Sequence, residues 1–99
     1  NDTLNVSGAT TIESSLSIGG EIIVSENLSV GSNTTIEKHL SVGDSATFSG
    51  TINSTNIFLT PRLTTTQRNS LIVVAGMIIF NTTTNKHQGY NGTSWNDLY

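Results

Sequence analysis

The chain has no cysteine, which removes disulfide cross-links, thiolate metal centres and thiol chemistry together. It has one proline, Pro61, and only four basic side chains, Lys38, Arg62, Arg68 and Lys86, set far apart. Against seven acids they leave a net charge of −3. A nucleic-acid partner demands clustered Lys and Arg, so none is expected. Long apolar runs are missing as well. The longest, residues 71–75, falls far short of the roughly 18 residues that mark a membrane-spanning helix, and no membrane insertion is expected. Charged residues make up 11% of the chain, whereas Ser, Thr, Asn and Gly supply 49 of its 99 residues. Such a composition fits a disordered segment unless the order of the residues says otherwise. The chain opens on Asn1 rather than Met and reads as part of a longer protein.

The order does say otherwise. Read in twelves from Leu4, the chain gives LNVSGATTIESS, LSIGGEIIVSEN, LSVGSNTTIEKH and LSVGDSATFSGT, then fades through INSTNIFL. The first column holds Leu4, Leu16, Leu28, Leu40 and Ile52. Two residues on stand Val6, Ile18, Val30 and Val42, and eight on stand Ile12, Val24, Ile36 and Phe48. Between them lies a mixed column of Thr10, Ile22, Thr34 and Ala46. Internal repetition at a fixed period decides fold class before any single element does.

All these positions are even-numbered, and odd positions through residue 59 are polar or Gly apart from Ala9, Ile23, Ile57 and Leu59. A period of two belongs to extended chain with one face buried and one face wet. Each twelve therefore holds two very short strands. The turn between them carries Gly8, Gly19, Gly20, Gly31 or Gly43, where positive φ is inexpensive. The other turn is polar, at residues 13–15, 25–27, 37–39 and 49–51. Because twelve is even, the buried face never flips between copies.

A single ribbon of this kind leaves its apolar side bare, and no helix-forming segment between residues 4 and 58 can cover it. A thin core without disulfides calls for oligomerisation. The expected arrangement is three identical chains around one axis, with rings of three side chains from Leu4, Val6, Ile12, Leu16, Ile18, Ile22, Val24, Leu28, Val30, Ile36, Leu40, Val42, Phe48 and Ile52. The alternative is one chain coiling alone as a left-handed parallel β-helix of hexapeptides, the fold of hexapeptide acyltransferases. Apolar residues do recur every six from Val6 to Phe48, but alternate hexads are unlike and give fewer than three coils.

After residue 58 the repeat is gone and the charge changes sign. Residues 1–58 carry six acids and one base, residues 59–99 one acid and three bases. This sets residues 1–58 as a repetitive β shaft and residues 59–99 as a small C-terminal module. Thr64-Thr65-Thr66-Gln67 reads as a capping box opening one or two helical turns. Residues 77–80 and 86–90 read as strands around a turn at 81–85, and Asn91-Gly92 as a hairpin signal before a strand around Trp95. Phe80, Tyr90, Trp95 and Tyr99 are expected to pack this meander. The fold class is all-β: an elongated, intertwined trimeric β-helix or β-spiral-like shaft, with a C-terminal module of a short helix plus a β-meander.

The stretch LSVGSNTTIEKHLSVGDSATF resembles the shaft repeats of trimeric phage and virus fibre proteins. RLTTTQRNSL and GMIIFNTTTNKHQGYNGTSWNDL are similar to a short module found beyond such repeats in tail fibres and in large surface proteins of bacteria and large DNA viruses. The resemblance implies a homotrimer with a structural role, on the virion surface or otherwise extracellular, that serves host attachment. The alternative is the receptor- or glycan-binding head of an adhesin. Its candidate contacts are Tyr90, Asn91, Trp95 and Tyr99, aromatic rings beside amides. Against that stands a plainer expectation, that Tyr90 and Trp95 are a cross-strand pair stabilising the hairpin.

No enzymatic activity, metal or cofactor is expected. Glu13, Glu21, Glu26 and Glu37 occupy turns or outward positions rather than a facing pair, and no Gly-x-Ser-x-Gly elbow is present. His39 and His87 lie far apart with no acid at ligand spacing, and odd-numbered His39 points away from the axis. Asn-x-Ser/Thr sequons at Asn5, Asn27, Asn33, Asn53, Asn81 and Asn91 are expected mainly from a composition rich in all three residue types.

Overall fold

Residues 2–99 are described by a computed structural model in which the chain divides into two compact units, Asn1–Asp44 and Ser45–Tyr99. In the first unit the backbone bends at Gly8 and then at 13–14, 19–20, 25–26, 31–32, 37–38 and 43–44. In the second the same spacing continues at 49–50 and 55–56. A bend every six residues is two per twelve, at the two turn positions the repeat predicts. None of the described residues before Arg62 belongs to a hydrogen-bonded strand, and every one from 2 to 59 is exposed. No ladder joins any two of the described segments before Arg62, so within the repeats the solitary hexapeptide coil is not formed.

The repeat glycines depart from expectation. Among the described residues the glycines with positive φ are Gly76 and Gly92, so the repeat bends use ordinary backbone angles. A Cβ added at Gly8, Gly19, Gly20, Gly31 or Gly43 would meet nothing within 4 Å in its own chain. Neither handedness nor intrachain packing therefore requires glycine there.

Among the described residues, helix and strand begin at Arg62. Strand β1 (Arg62–Leu63), helix α1 (Thr65–Asn69) and strands β2 (Ile78–Asn81), β3 (Lys86–Tyr90) and β4 (Trp95–Asp97) follow in chain order. The strands form one sheet in the order β1-β2-β3-β4, with β1 parallel to β2 and the other pairs antiparallel. The fold is all-β apart from a helix of five residues. A helix that short does not sustain itself. The capping box holds it: the Thr64 hydroxyl accepts from the Gln67 N–H at 3.2 Å, and the Gln67 side-chain oxygen accepts from the Thr64 N–H at 2.9 Å. Caps of this type contribute about 0.5–2 kcal/mol. Pro61, which has no N–H to offer a ladder, contributes its carbonyl to the Phe80 N–H at 2.8 Å and so leads the chain into β1.

Strand β2 extends one residue beyond the predicted 77–80, so Asn81 closes a strand rather than opening a turn. Asn85 ends the following turn at φ 56°, a conformation Asn tolerates. The Asn91-Gly92 pair does join two strands, through a loop of four residues. Asn91 works there through its side chain, its Oδ1 accepting from the Thr93 and Ser94 N–H groups at 2.9 Å each. Gly92, at φ 100°, supplies the left-handed residue.

Candidate functional site

Residues opposed across a ladder share a face of a sheet, and neighbours along a strand alternate. The pairs Ile79–Gln88, Asn81–Lys86, Gln88–Asp97 and Tyr90–Trp95 therefore stand on one face. Ile78–Gly89, Phe80–His87 and Gly89–Asn96 stand on the other. Leu98 continues this second set, since a Cβ at Gly89 would lie 3.3 Å from Leu98 Cδ2.

Helix α1 is tied to the first face by an amide network. Asn81 Nδ2 donates to Thr65 Oγ1 and to Gln88 Oε1, both at 3.0 Å. Arg68 Nη1 donates to the same Gln88 oxygen at 2.9 Å, and Gln88 Nε2 donates to Asp97 Oδ1 at 2.8 Å. Asn81 Oδ1 meanwhile accepts from the N–H groups of Thr83, at 2.9 Å, and Thr84, at 3.3 Å. Asn81 is wholly buried, with Ile79 and Gln88 close behind, and among the described residues no buried side-chain polar atom lacks a partner. The Arg68 guanidinium also lies 5.6 Å from the centre of the Trp95 ring. Tyr90 and Trp95 face each other across β3 and β4 with ring centroids 5.3 Å apart, the cross-strand pair the hairpin signal predicts.

The module is thus centred on Asn81, which the sequence placed in a turn, and on Gln88, which it did not single out. Their signal was the alternation Ile79-x-Asn81, the two residues that β2 buries. The same burial removes Asn81 as a glycosylation acceptor in the folded chain, because its amide nitrogen already donates twice.

The second face carries no helix or strand among the described residues. Ile78 is 50% exposed and Leu98 55%. At one margin His87 is held between rings, 5.0 Å from Phe80 and 5.9 Å from Tyr99, with Nε2 3.2 Å from Thr60 Oγ1 and Nδ1 3.1 Å from the Tyr99 hydroxyl. Tyr99 is therefore set against His87, whereas Tyr90, Asn91 and Trp95 gather at the β3–β4 hairpin. Phe58, Leu59, Thr60, Arg62, Phe80 and His87 line an open pocket of about 290 Å³. Phe58 also lines a second pocket with Ile52 and Ser54.

The predicted core columns are all bare in the single chain. Exposure repeats along them: Leu16, Leu28, Leu40 and Ile52 fall between 62% and 73%, and Ile18, Val30 and Val42 between 47% and 50%. Equal environments twelve residues apart make the repeat structural as well as sequential.

A family model described as phage tail like trimerisation region matches residues 31–99, more than two thirds of the chain. The chain belongs to this family. No curated protein and no solved structure matches it. The trimerisation region takes in the repeats from Gly31 onward and the whole sheet, so Ile36, Leu40, Val42, Phe48 and Ile52 of the bare columns and both sheet faces fall within it. Membership makes the chain a structural, trimerising component of a phage-tail-like fibre.

Proposed function

We propose that the chain is a shaft segment of a homotrimeric fibre on the virion surface. In this reading the shaft is intertwined and rigid, the sheet module locks its C-terminal end, and the whole serves host attachment without catalysis. One observation supports it above others. Within a chain of a trimerising family, every apolar column residue from Leu4 to Ile52 is exposed when the chain is alone. Three copies around an axis would turn those columns inward as stacked rings, each side chain gaining from removal of apolar surface at about 25 cal/mol per Å². The test is mass in solution. Light scattering should give about 31 kDa, three times the 10.5 kDa of one chain, and a folded monomer at micromolar concentration would overturn the proposal.

A second reading, recognition of a host glycan or receptor by the module, draws support from the Tyr90–Trp95 pair, which keeps part of both rings exposed beside Asn91. Trp95→Ala separates the two. The indole packs on Tyr90 and under Arg68, so its loss should destabilise the module by about 2 kcal/mol in thermal unfolding. A sugar platform would instead leave melting untouched and abolish binding on a glycan array. The structural outcome is the expected one.

A further inference from the structure

We propose that the uncovered face of the sheet, Ile78, Phe80 and Leu98 with Phe58 and Leu59 at its margin, is the seat of a second copy of this chain. The module would then join the trimer through this face and not through α1. The proposal rests on the trimeric reading above and adds to it a surface outside the repeat columns.

Three observations carry it. The sheet is one-sided: α1 and the amide network close the first face, while the second presents the half-exposed aliphatic residues Ile78 and Leu98, the latter packed over Gly89. A contiguous apolar patch of this sort marks an interaction surface. Charge is arranged to match. The module's only acid, Asp97, and Lys86 and Arg68 all belong to the first face. Arg62 stands at the rim of the second, its guanidinium without a hydrogen bond or ion pair among the described residues. An apolar centre with a cation at the rim is the composition of an interface.

The third observation selects the occupant. Phe58 lines both pockets, so Ile52, a column residue, is joined through it to Phe80 on the sheet. The strip that three shaft chains would bury thus continues onto this face, within one trimerising region. Any other partner would have to interrupt a surface that copies of the chain would cover in the trimer.

The absence of cysteine makes the test direct, because a single introduced thiol reports one position. In one chain alone a thiol at Leu98→Cys would react freely, Leu98 being 55% exposed. In the native trimer we expect its labelling by a maleimide to be slowed at least tenfold relative to Thr66→Cys, an exposed position on α1. Ile78→Glu, in the same trimer, should raise the concentration needed for assembly at least a hundredfold. If the wild-type chain is a trimer but Leu98→Cys labels as fast as Thr66→Cys and Ile78→Glu assembles normally, this face is not the seat and the proposal falls alone. A monomeric wild type would instead remove the trimeric reading beneath it.

Discussion

Leu28→Asp should abolish assembly, and Ser29→Asp, one residue along, should leave it intact. Leu28 is 73% exposed in the single chain, so an isolated chain would accept aspartate there at almost no cost. The whole penalty would fall on the trimer. Three carboxylates would be brought together around a dry axis, and each unpaired buried charge is disfavoured by several kcal/mol. Three leucine side chains would be withdrawn from burial as well, at about 1.5–3 kcal/mol each. Sedimentation at neutral pH should show monomer for the first variant and trimer for the second. Equal loss of trimer from both would mean that the face assignment by even and odd positions is wrong.

Asn81→Leu should unfold the sheet module. Leucine has as many side-chain heavy atoms as asparagine, branched at the same carbon, but none of its hydrogen bonds, and its greater volume adds crowding at a wholly buried position. It would strip the acceptor from the Thr83 and Thr84 N–H groups, and the donor from Thr65 Oγ1 and Gln88 Oε1. Gln88 Oε1 keeps its bond from Arg68 and the Thr83 and Thr84 N–H groups are only part-buried, so at about 1–3 kcal/mol for a buried group left unsatisfied the total is about 3–5 kcal/mol here. That is a large share of the roughly 5–15 kcal/mol that holds a typical domain. Asn81→Asp should recover part of the loss, because a carboxylate still accepts from Thr83 and Thr84. It would not recover all, since its second oxygen meets the Gln88 oxygen as acceptor against acceptor. Near-ultraviolet dichroism of Trp95 during thermal unfolding reports both variants. Wild-type melting in Asn81→Leu would show that the amides are not what holds the module.

Sequence reading reaches what is decided locally. The period of the repeat is a local property, and the bends and exposures of the chain recur with it. The Thr64–Gln67 cap and the pairing of Tyr90 with Trp95 were legible for the same reason, each being decided within a few residues. Asn81 and Gln88 were hidden by composition. In a chain nearly half Ser, Thr, Asn and Gly, a buried amide looks like one more turn residue, and only its partners, Thr65 and Arg68 across the module, distinguish it. Strand β1 was hidden by distance: two residues carry no periodicity, and their partner β2 lies eighteen positions along the chain. The repeat glycines misled through their usual association with positive φ, which these bends do not use.

Bends every six residues and environments that recur every twelve have a further consequence for how three chains find one another. Chains offset by one whole repeat would still set Leu beside Leu and Val beside Val, forfeiting only the contacts of the unmatched copy. Pairing of such uniform segments is weakly specified, and staggered alignments lie close in energy to the even one. The sheet occurs once per chain. An offset of twelve residues would carry one module away from its counterparts and leave its apolar face in water, a penalty that no repeat can make good. In the proposed trimer the part of the chain that does not repeat would therefore set the three chains level, and the shaft would close from that end as a zip does from its pin.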